Sequence, residues 1–290
     1  MDREHRATRY TEELVGVLGY PVAENPTGVM QNAAFEALGL PWRYLTIEVR
    51  PAGLPAAISG LRALGFRGIN LTIPHKVAAL ALLDEVSPVA ALIGAVNTVR
   101  RVGDRLIGEN TDGKGFLRGV REGAGLDPRG KSIVVLGAGG AARAITVELA
   151  LAGAARLIVV NRTVARGQAL VDHLKARTPT AAQFVAWAKP YRVDPTIEIV
   201  VNATSIGLSP EVDSTPDLDL TAARPDLLVC DVIPNPPDTR LIQAARARGF
   251  KTLNGLSMLV YQGTLGFEMW TGQPAPEAVM LAALAQALVE

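Results

Sequence analysis

The 290-residue chain has one cysteine, few aromatic residues and no excess of charge of either sign. Because Cys230 is alone, no disulfide can form within the chain, and its apolar neighbours Leu227–Val229 predict a buried strand. The 29 basic and 28 acidic residues nearly cancel, which argues against nucleic acid or an acidic membrane as a partner. No apolar run reaches the roughly 18 residues of a membrane span, and Met1–Glu13 is polar. We therefore expect a cytoplasmic protein without a signal peptide.

Along the sequence, short apolar runs typical of buried strands alternate with segments of helix length. This order predicts right-handed crossovers and mainly parallel sheets, hence an α/β fold, and the length allows one large or two medium domains. The stretch Thr178–Pro195 is irregular and hard to place. Two helices, Ser257–Trp270 and Pro276–Val289, follow the last predicted strand.

The clearest functional signal is the apolar run Ser132–Leu136, which leads into Gly137-Ala138-Gly139-Gly140-Ala141-Ala142. A strand, a glycine turn and a helix start fit G-x-G-x-x-A, whose glycines permit the turn and the approach of backbone to a pyrophosphate. A plain strand–helix connection would look the same, so the motif alone leaves both interpretations open.

The residues after the next strand favour NADP as the cofactor. Leu157–Val160 ends in Asn161-Arg162-Thr163, with no acidic residue where an NAD site places one for the ribose hydroxyls. Arg162, and Arg166 one turn into the following helix, suit a 2′-phosphate because guanidinium groups pair with phosphate oxygens. Two solvated surface arginines are the alternative.

Lys76 and Asp112 are the candidate acid–base residues. Lys76 follows the strand Gly68–Ile73 and opens a helix predicted to run through Leu83, at a strand end where α/β sheets form ligand crevices. Asp112 lies in a glycine-flanked turn and could pair with Lys76, or could instead be a helix N-cap. Asn97 could bind a substrate hydroxyl or stabilise a turn. No metal site is predicted, and His75 is left out of the mechanism because structural or solvated histidines are commoner.

Seven motifs in one order resemble the shikimate dehydrogenase family and span the chain from Gly16 to Gln262 and beyond. The motifs are Asn70-Leu71-Thr72-Ile73-Pro74-His75-Lys76, Gly94-Ala95-Val96-Asn97-Thr98, Gly108-Glu109-Asn110-Thr111-Asp112-Gly113, Gly137 to Ala142, Asn161-Arg162-Thr163, Asn202-Ala203-Thr204-Ser205 and Leu259-Val260-Tyr261-Gln262. The resemblance implies a mainly parallel substrate-binding catalytic domain over residues 1–113 and a Rossmann NADP domain over residues 114–254. C-terminal helices over residues 255–290 would pack back on the first domain.

The resemblance also implies an activity, the NADP-dependent, reversible reduction of 3-dehydroshikimate to shikimate in aromatic amino acid biosynthesis (the chorismate pathway). Lys76 would exchange the proton at the carbonyl oxygen, and Asp112 would orient Lys76. The partner would be a polyhydroxylated ring carboxylate, and the protein a monomer or homodimer. Its substrate-binding residues would be Asn25, Thr27, Thr72, Asn97 and Gln262. The cofactor would be bound by Gly137, Ala138, Gly139, Gly140, Ala141, Asn161, Arg162, Thr163, Arg166, Thr204, Val232 and Gly255.

The departures from the family's pattern fall on the substrate side. Asn25-Pro26-Thr27 stands where the family's carboxylate-binding loop carries Ser-x-Ser or Ser-x-Thr. Glu24 and Gln31 replace usual histidines, and Pro234 replaces a frequent tyrosine. Quinate, another cyclitol acid, or a modified or decarboxylated analogue are therefore alternative substrates. A non-catalytic NADP-binding sensor is the alternative of another class, which the retained acid–base pair argues against.

Overall fold

Two six-stranded sheets covered by helices, together with a separate two-stranded sheet, make up the computed structural model, which describes residues 11–288. The elements of the first part of the chain are β1 (Glu13–Gly19), α1 (Thr27–Ala37), β2 (Trp42–Glu48), α2 (Leu54–Ala63), β3 (Gly68–Leu71), α3 (His75–Ala78), β4 (Glu85–Val86), α4 (Pro88–Ile93), β5 (Thr98–Val102), β6 (Arg105–Glu109) and α5 (Asp112–Arg118).

The second six-stranded sheet, the two-stranded sheet of β10 and β12, and the last helices come from the remainder of the chain. These elements are β7 (Ser132–Leu136), α6 (Gly140–Leu151), β8 (Arg156–Asn161), α7 (Val164–Arg177), β9 (Ala181–Ala186), β10 (Tyr191–Arg192), β11 (Ile199–Asn202), β12 (Leu218–Asp219), β13 (Leu228–Asp231), α8 (Arg240–Ala247), β14 (Lys251–Leu253), α9 (Gly255–Thr271) and α10 (Glu277–Ala287).

The first sheet is mixed and has the order β2-β1-β3-β5-β6-β4. β1 runs parallel to β2 and β3, whereas β5 is antiparallel to both β3 and β6. The predicted hairpin turning at Gly103-Asp104 is the β5–β6 pair. Its antiparallel strands bring Asn97, just before β5, close to the end of β6.

The second sheet is entirely parallel, with the order β14-β13-β11-β7-β8-β9. Its central strands are buried on both faces, as their continuous apolar runs require. From β7 the chain adds β8 and β9 on one side, and β11, β13 and β14 on the other. The carboxyl ends of β7 and β11 therefore flank the crevice at which such sheets bind ligands.

Helices α9 and α10 pack against α1 and the first sheet. The rings of Phe35 and Phe267 stack with centroids 5.3 Å apart, and Trp270 Nε1 donates to the carbonyl oxygen of Val99 at 2.9 Å. Gly68 makes room for this indole, since a Cβ at that position would overlap Trp270. Within residues 11–288, no helix is long and apolar enough to cross a membrane.

The α/β prediction is confirmed, and three details differ from the sequence-based expectations. The helix predicted to run through Leu83 is a single turn, α3, followed by a 3₁₀ turn at Ala79–Leu82. The unassigned stretch Thr178–Pro195 contains β9, which extends the second sheet beside β8. α10 ends at Ala287, and Val289 of the predicted last helix lies outside the described residues, as does most of the polar N-terminal segment Met1–Glu13.

Candidate active site

Lys76 and Asp112 meet at the carboxyl end of the first sheet. Lys76 lies in α3 directly after β3, and its Nζ donates to Asp112 Oδ2 at 2.6 Å. Asn97 Nδ2 donates to the other carboxylate oxygen at 2.8 Å. Asp112 is the first residue of α5, the cap position belongs to Thr111, and no side chain there makes a capping bond. The structure thus favours the ion pair over the N-cap alternative.

A buried network of amides and hydroxyls holds the pair in place. Asn97 Oδ1 accepts the backbone N–H of Thr111 at 2.7 Å, while Asn70 Nδ2 donates to Asn97 O at 3.1 Å and to Thr98 Oγ1 at 3.0 Å. The hydroxyl of Tyr44 donates to Asn70 Oδ1 at 2.8 Å, and burial holds the pKa of Tyr44 well above its usual value. Satisfied buried networks of this kind are rigid, so Asp112 has little freedom to turn away.

The pair opens into a cavity of about 80 Å³ between the first sheet and α9. Every predicted substrate-binding residue lines it. The lining residues are Val17, Asn25, Thr27, Asn70, Leu71, Thr72, Lys76, Asn97, Asp112, Leu259 and Gln262. Asn70 was missed as a site residue, although an amide inside the apolar strand Gly68–Leu71 is a usable signal. His75 is buried with Nε2 2.7 Å from Val49 O, which is a structural position.

Gln262 reaches this cavity because α9 packs closely on α5. A Cβ at Gly115 would lie 2.6 Å from the backbone nitrogen of Gln262, so only glycine allows this approach. The Gln262 side chain donates to Leu259 O at 3.0 Å and lies 3.5 Å from the Thr111 hydroxyl. Periodicity alone indicates only a helix-surface residue at position 262.

A second cleft, of about 390 Å³, lies at the carboxyl ends of β7, β8, β11 and β13. Gly137 has a φ of +105° and donates its N–H to Val160 O at 2.8 Å. A Cβ there would lie 2.8 Å from Ala203 O, so the turn requires glycine. The cleft is lined by Gly137, Ala138, Gly139, Gly140, Ala141, Asn161, Arg162, Trp187, Ala203, Thr204, Ser205, Leu208, Val232, Ile233 and Pro234.

The cleft fits a dinucleotide. Gly139 precedes α6 at the cap position and has no side chain to occupy the N–H groups of the first turn. A Cβ at Gly139 or Gly140 would meet no protein atom within 4 Å, so a side chain there would project into the space that a pyrophosphate needs. The residues that line the cleft therefore fit the predicted NADP.

Arg162 stands where the cleft continues into a side cavity of about 230 Å³. That cavity is also lined by Trp187, Lys189 and Asp217, among others. Trp187 and Lys189 were missed, because they follow β9 in a stretch without a recognisable sequence pattern. Three predicted cofactor residues line neither cavity: Thr163, Arg166 and Gly255. Gly255 instead packs against the backbone of Val232 and Ile233. A Cβ at position 255 would overlap that backbone.

A buried polar cluster supports the loops after β11 and β13. Asn202 Nδ2 donates to both Asp231 oxygens, at 3.1 and 3.2 Å, and Asn202 Oδ1 accepts the Thr204 hydroxyl at 2.6 Å. Thr239 donates to Asp231 Oδ2 at 2.8 Å. Burial raises the pKa of Asp231 to about 6, opposed by these hydrogen bonds. The cluster thereby fixes Thr204 and Val232 at the rim of the cleft.

Cys230 is buried in β13, as predicted, and burial raises the pKa of its thiol far above the ordinary value, so it stays a neutral core residue. Among residues 11–288, no group of His, Cys, Asp or Glu side chains is arranged to hold a metal ion.

Comparison with known proteins gives consistent matches along the chain. Residues 17–99 match the family model of the shikimate dehydrogenase substrate binding domain, 123–207 that of shikimate / quinate 5-dehydrogenase, and 255–285 that of the shikimate 5′-dehydrogenase C-terminal domain. A shikimate dehydrogenase (NADP(+)) of Desulforamulus reducens is 43% identical over 270 residues, which cover 92% of this chain and 93% of that protein.

Two solved structures are similar over nearly the whole chain. The ligand-free crystal structure of 5-ketofructose reductase of Gluconobacter sp. strain CHM43 has a TM-score of 0.92 and 42% identity, covering 96% of this chain and 99% of the other. Shikimate 5-dehydrogenase of Thermus thermophilus, in complex with NADP(H) and shikimate, has a TM-score of 0.84 and 38% identity, covering 95% and 100%.

Proposed function

The chain belongs to the shikimate dehydrogenase family, and we propose that it catalyses the NADP-dependent, reversible reduction of 3-dehydroshikimate to shikimate. The observation that carries this proposal is the 2.6 Å contact between Lys76 Nζ and Asp112 in a cavity lined by amides and hydroxyls. Such a cavity suits a small polyhydroxylated ring, and an ammonium beside a carboxylate is a proton donor that stays in position.

NADPH, when bound, supplies the hydride that converts the carbonyl carbon into an alcohol carbon. Lys76 Nζ donates a proton to the carbonyl oxygen, and in the oxidising direction it accepts the hydroxyl proton. Asp112 positions the ammonium, while Asn97 holds Asp112 through the 2.8 Å bond to its other oxygen. Thr72 and Gln262 bind ring hydroxyls.

We propose that the glycine turn Gly137–Ala141 holds the pyrophosphate and that Asn161, Arg162, Thr163 and Arg166 hold the phosphorylated ribose. Arg162 has the strongest support, since it lines both the cleft and the side cavity. Thr204, Val232 and Gly255 would border the nicotinamide end. This set belongs to a domain over residues 114–254, between a substrate domain over 1–113 and C-terminal helices over 255–290.

Two other substrates fit the same chemistry. Quinate or another cyclitol acid would use the same acid–base pair and differ only in its ring substituents. A sugar ketone of the 5-ketofructose kind is favoured by the likeness to 5-ketofructose reductase, at 42% identity over 96% of this chain. A small diffusible substrate, the balanced charge of the chain and its lone buried cysteine support a cytoplasmic monomer or homodimer that binds neither nucleic acid nor membrane.

The first test is the reduced-nicotinamide absorbance of purified protein with NADP and shikimate, and with quinate in parallel. In Lys76→Ala, kcat should fall about 10²–10⁴-fold because the proton donor is gone, while the Kd for NADP should stay within about twofold. Lys114→Ala is the matched control, since Lys114 pairs with Glu109 at 3.6 Å outside the substrate cavity.

Persistence of near-original turnover in Lys76→Ala would show that this lysine is not the proton donor. Silence of the unaltered protein with both substrates, together with normal NADP binding, would point to a different ketone or to the non-catalytic sensor.

A further inference from the structure

The end of the substrate cavity nearest α1 offers few backbone N–H groups for binding an anion. Asn25 and Thr27, on either side of Pro26, both line it. Asn25 Oδ1 accepts the backbone N–H of Thr27, the first residue of α1, at 3.0 Å. Pro26 has no N–H, and the N–H of Val29 donates to Pro26 O at 3.0 Å. The start of this helix therefore offers fewer N–H groups to an anion than an uncapped helix start would.

Within residues 11–288, no unpaired positive charge lines this cavity. Of the described residues that line it, only Lys76 and Asp112 are charged, and they neutralise each other at 2.6 Å. Glu24, next to Asn25, is exposed and adds a negative charge on this side of the loop. A substrate carboxylate would lose water here without gaining a cation, which is unfavourable, whereas a hydroxyl would lose little.

The polar atoms that remain suit a hydroxyl group. Within residues 11–288, neither Asn25 Nδ2 nor the buried Thr27 hydroxyl has a protein partner. The amide N–H₂ donates, and the threonine hydroxyl both donates and accepts. A substrate hydroxyl can accept from Asn25 and donate to Thr27 at once, whereas a carboxylate can only accept.

We infer that this end of the cavity is a hydroxyl subsite, so the protein reduces uncharged polyhydroxy ketones at least as efficiently as ring carboxylates. The inference rests on the hydride-transfer function proposed above. The hydride of NADPH forms a C–H bond at the ketone carbon while the C=O π bond breaks onto oxygen. Lys76 protonates that oxygen and is reprotonated from solvent, which leaves a secondary alcohol and NADP⁺.

The test compares kcat/KM for NADPH oxidation with 3-dehydroshikimate and with its analogue carrying CH₂OH in place of the carboxylate. 5-Ketofructose serves as a second uncharged ketone. The quantity compared is kcat/KM for 3-dehydroshikimate divided by kcat/KM for an uncharged ketone. This ratio does not depend on how much of each preparation is folded. The unaltered protein should give a ratio of one or less.

Two variants of Asn25 should move the ratio in opposite directions. Asn25→Asp keeps the acceptor for Thr27 N but replaces the N–H₂ donor by an anionic oxygen, so the ratio should fall at least about tenfold through repulsion of the carboxylate. Asn25→Ser places a hydroxyl donor there and removes the amide carbonyl, so the ratio should rise about tenfold.

Each result has a distinct meaning. Turnover of 3-dehydroshikimate with a ratio above one, or a ratio that the two variants do not shift in opposite directions, overturns the hydroxyl subsite and leaves the proposed function standing. Turnover of none of the ketones, with NADPH binding intact, overturns the proposed function itself. A ratio of one or less that shifts oppositely in the two variants supports the inference.

Discussion

At the scale of single residues, the structure distinguishes Arg162 from Arg166, which the sequence could not do. Both are basic and lie within one turn of the end of β8, and both were predicted to bind the 2′-phosphate. Both side chains are exposed, but Arg162 lines the dinucleotide cleft and its side cavity, whereas Arg166, on α7, lines neither. The structure therefore supports Arg162 as the main determinant of the preference for NADP.

Arg162→Asp should raise the KM for NADPH about 10–100-fold and leave the KM for NADH within about threefold, because a guanidinium–phosphate pair is replaced by repulsion. Steady-state kinetics with both cofactors measures the split. Arg166→Asp, with the same change of charge nearby, should raise the KM for NADPH only a few-fold. Equal losses with NADPH and NADH in Arg162→Asp would contradict the phosphate role.

The sequence predicted Lys76 and Arg162 because charged side chains after buried strands are conspicuous, and Asp112 because it lies in a glycine-flanked turn before a helix. It could not predict Trp187 or Lys189, since they reach the cavity only through the way the chain leaves β9. It also could not choose between an ion pair and an N-cap for Asp112. That choice depends on the antiparallel hairpin β5–β6, which brings Asn97 to the same carboxylate.

At the scale of elements, the ends of β11 and β13 are tied together by a buried carboxyl group. Asp231 is held by Asn202 and Thr239 and has a pKa of about 6, raised by burial. In the unfolded chain the same carboxyl has its ordinary pKa near 4. Between these values the folded protein binds the proton more tightly than the unfolded chain does.

The contribution of Asp231 to the free energy of unfolding should therefore be greatest below about pH 4, decrease as the pH rises to about 6, and remain constant above that. The loss should amount to about 3 kcal/mol, two pKa units at 1.36 kcal/mol each. Urea unfolding at a series of pH values gives the free energy of unfolding of the unaltered protein and of Asp231→Asn. The difference between the two free energies at each pH is the contribution of the Asp231 carboxyl.

The difference in free energy of unfolding between the two proteins should vary with pH only between about 4 and about 6. The carboxyl carbon of Asp231 should titrate near pH 6 in NMR spectra. A pH-independent difference, or an NMR titration near pH 4, would show that the carboxyl is hydrated and that the cluster is open to water.

The sequence predicted the strands of the second sheet that are buried on both faces, because they are continuous apolar runs. It did not predict β9, an edge strand with only Ala182 fully buried, since little of its sequence is constrained by packing. The helix at Lys76 was predicted too long. After α3 the backbone tightens into a 3₁₀ turn, and the carbonyl of Lys76 accepts the N–H of Val96.

At the scale of the whole molecule, the first sheet depends on residues that are distant in sequence. Trp270 is buried against Tyr44, with ring centroids 6.1 Å apart, and its indole N–H satisfies the carbonyl of Val99. Trp270→Ala should lower the free energy of unfolding by about 3–5 kcal/mol, through the cavity and the unpaired carbonyl. Chemical denaturation followed by circular dichroism measures it.

Trp187→Ala is the matched control, because Trp187 is only half-buried, at the dinucleotide cleft, where it packs against the edge of the second sheet's core and donates to Asp217 O at 3.2 Å. It should lower the free energy of unfolding by about 1–2 kcal/mol, less than Trp270→Ala, while weakening NADP binding. A loss of less than about 1 kcal/mol in Trp270→Ala would mean that α9 contributes little to the first sheet.

The return of α9 and α10 to the first sheet also sets the order in which the chain can finish folding during synthesis. Once residues 132–253 have left the ribosome, every strand of the second sheet is available for folding. The apolar surface formed by Phe35 of α1 and Tyr44 of β2 is made earlier, yet it stays uncovered until Phe267 and Trp270 have been added. The later-made sheet is thus completed first, and the nascent chain carries an exposed apolar face through most of its translation.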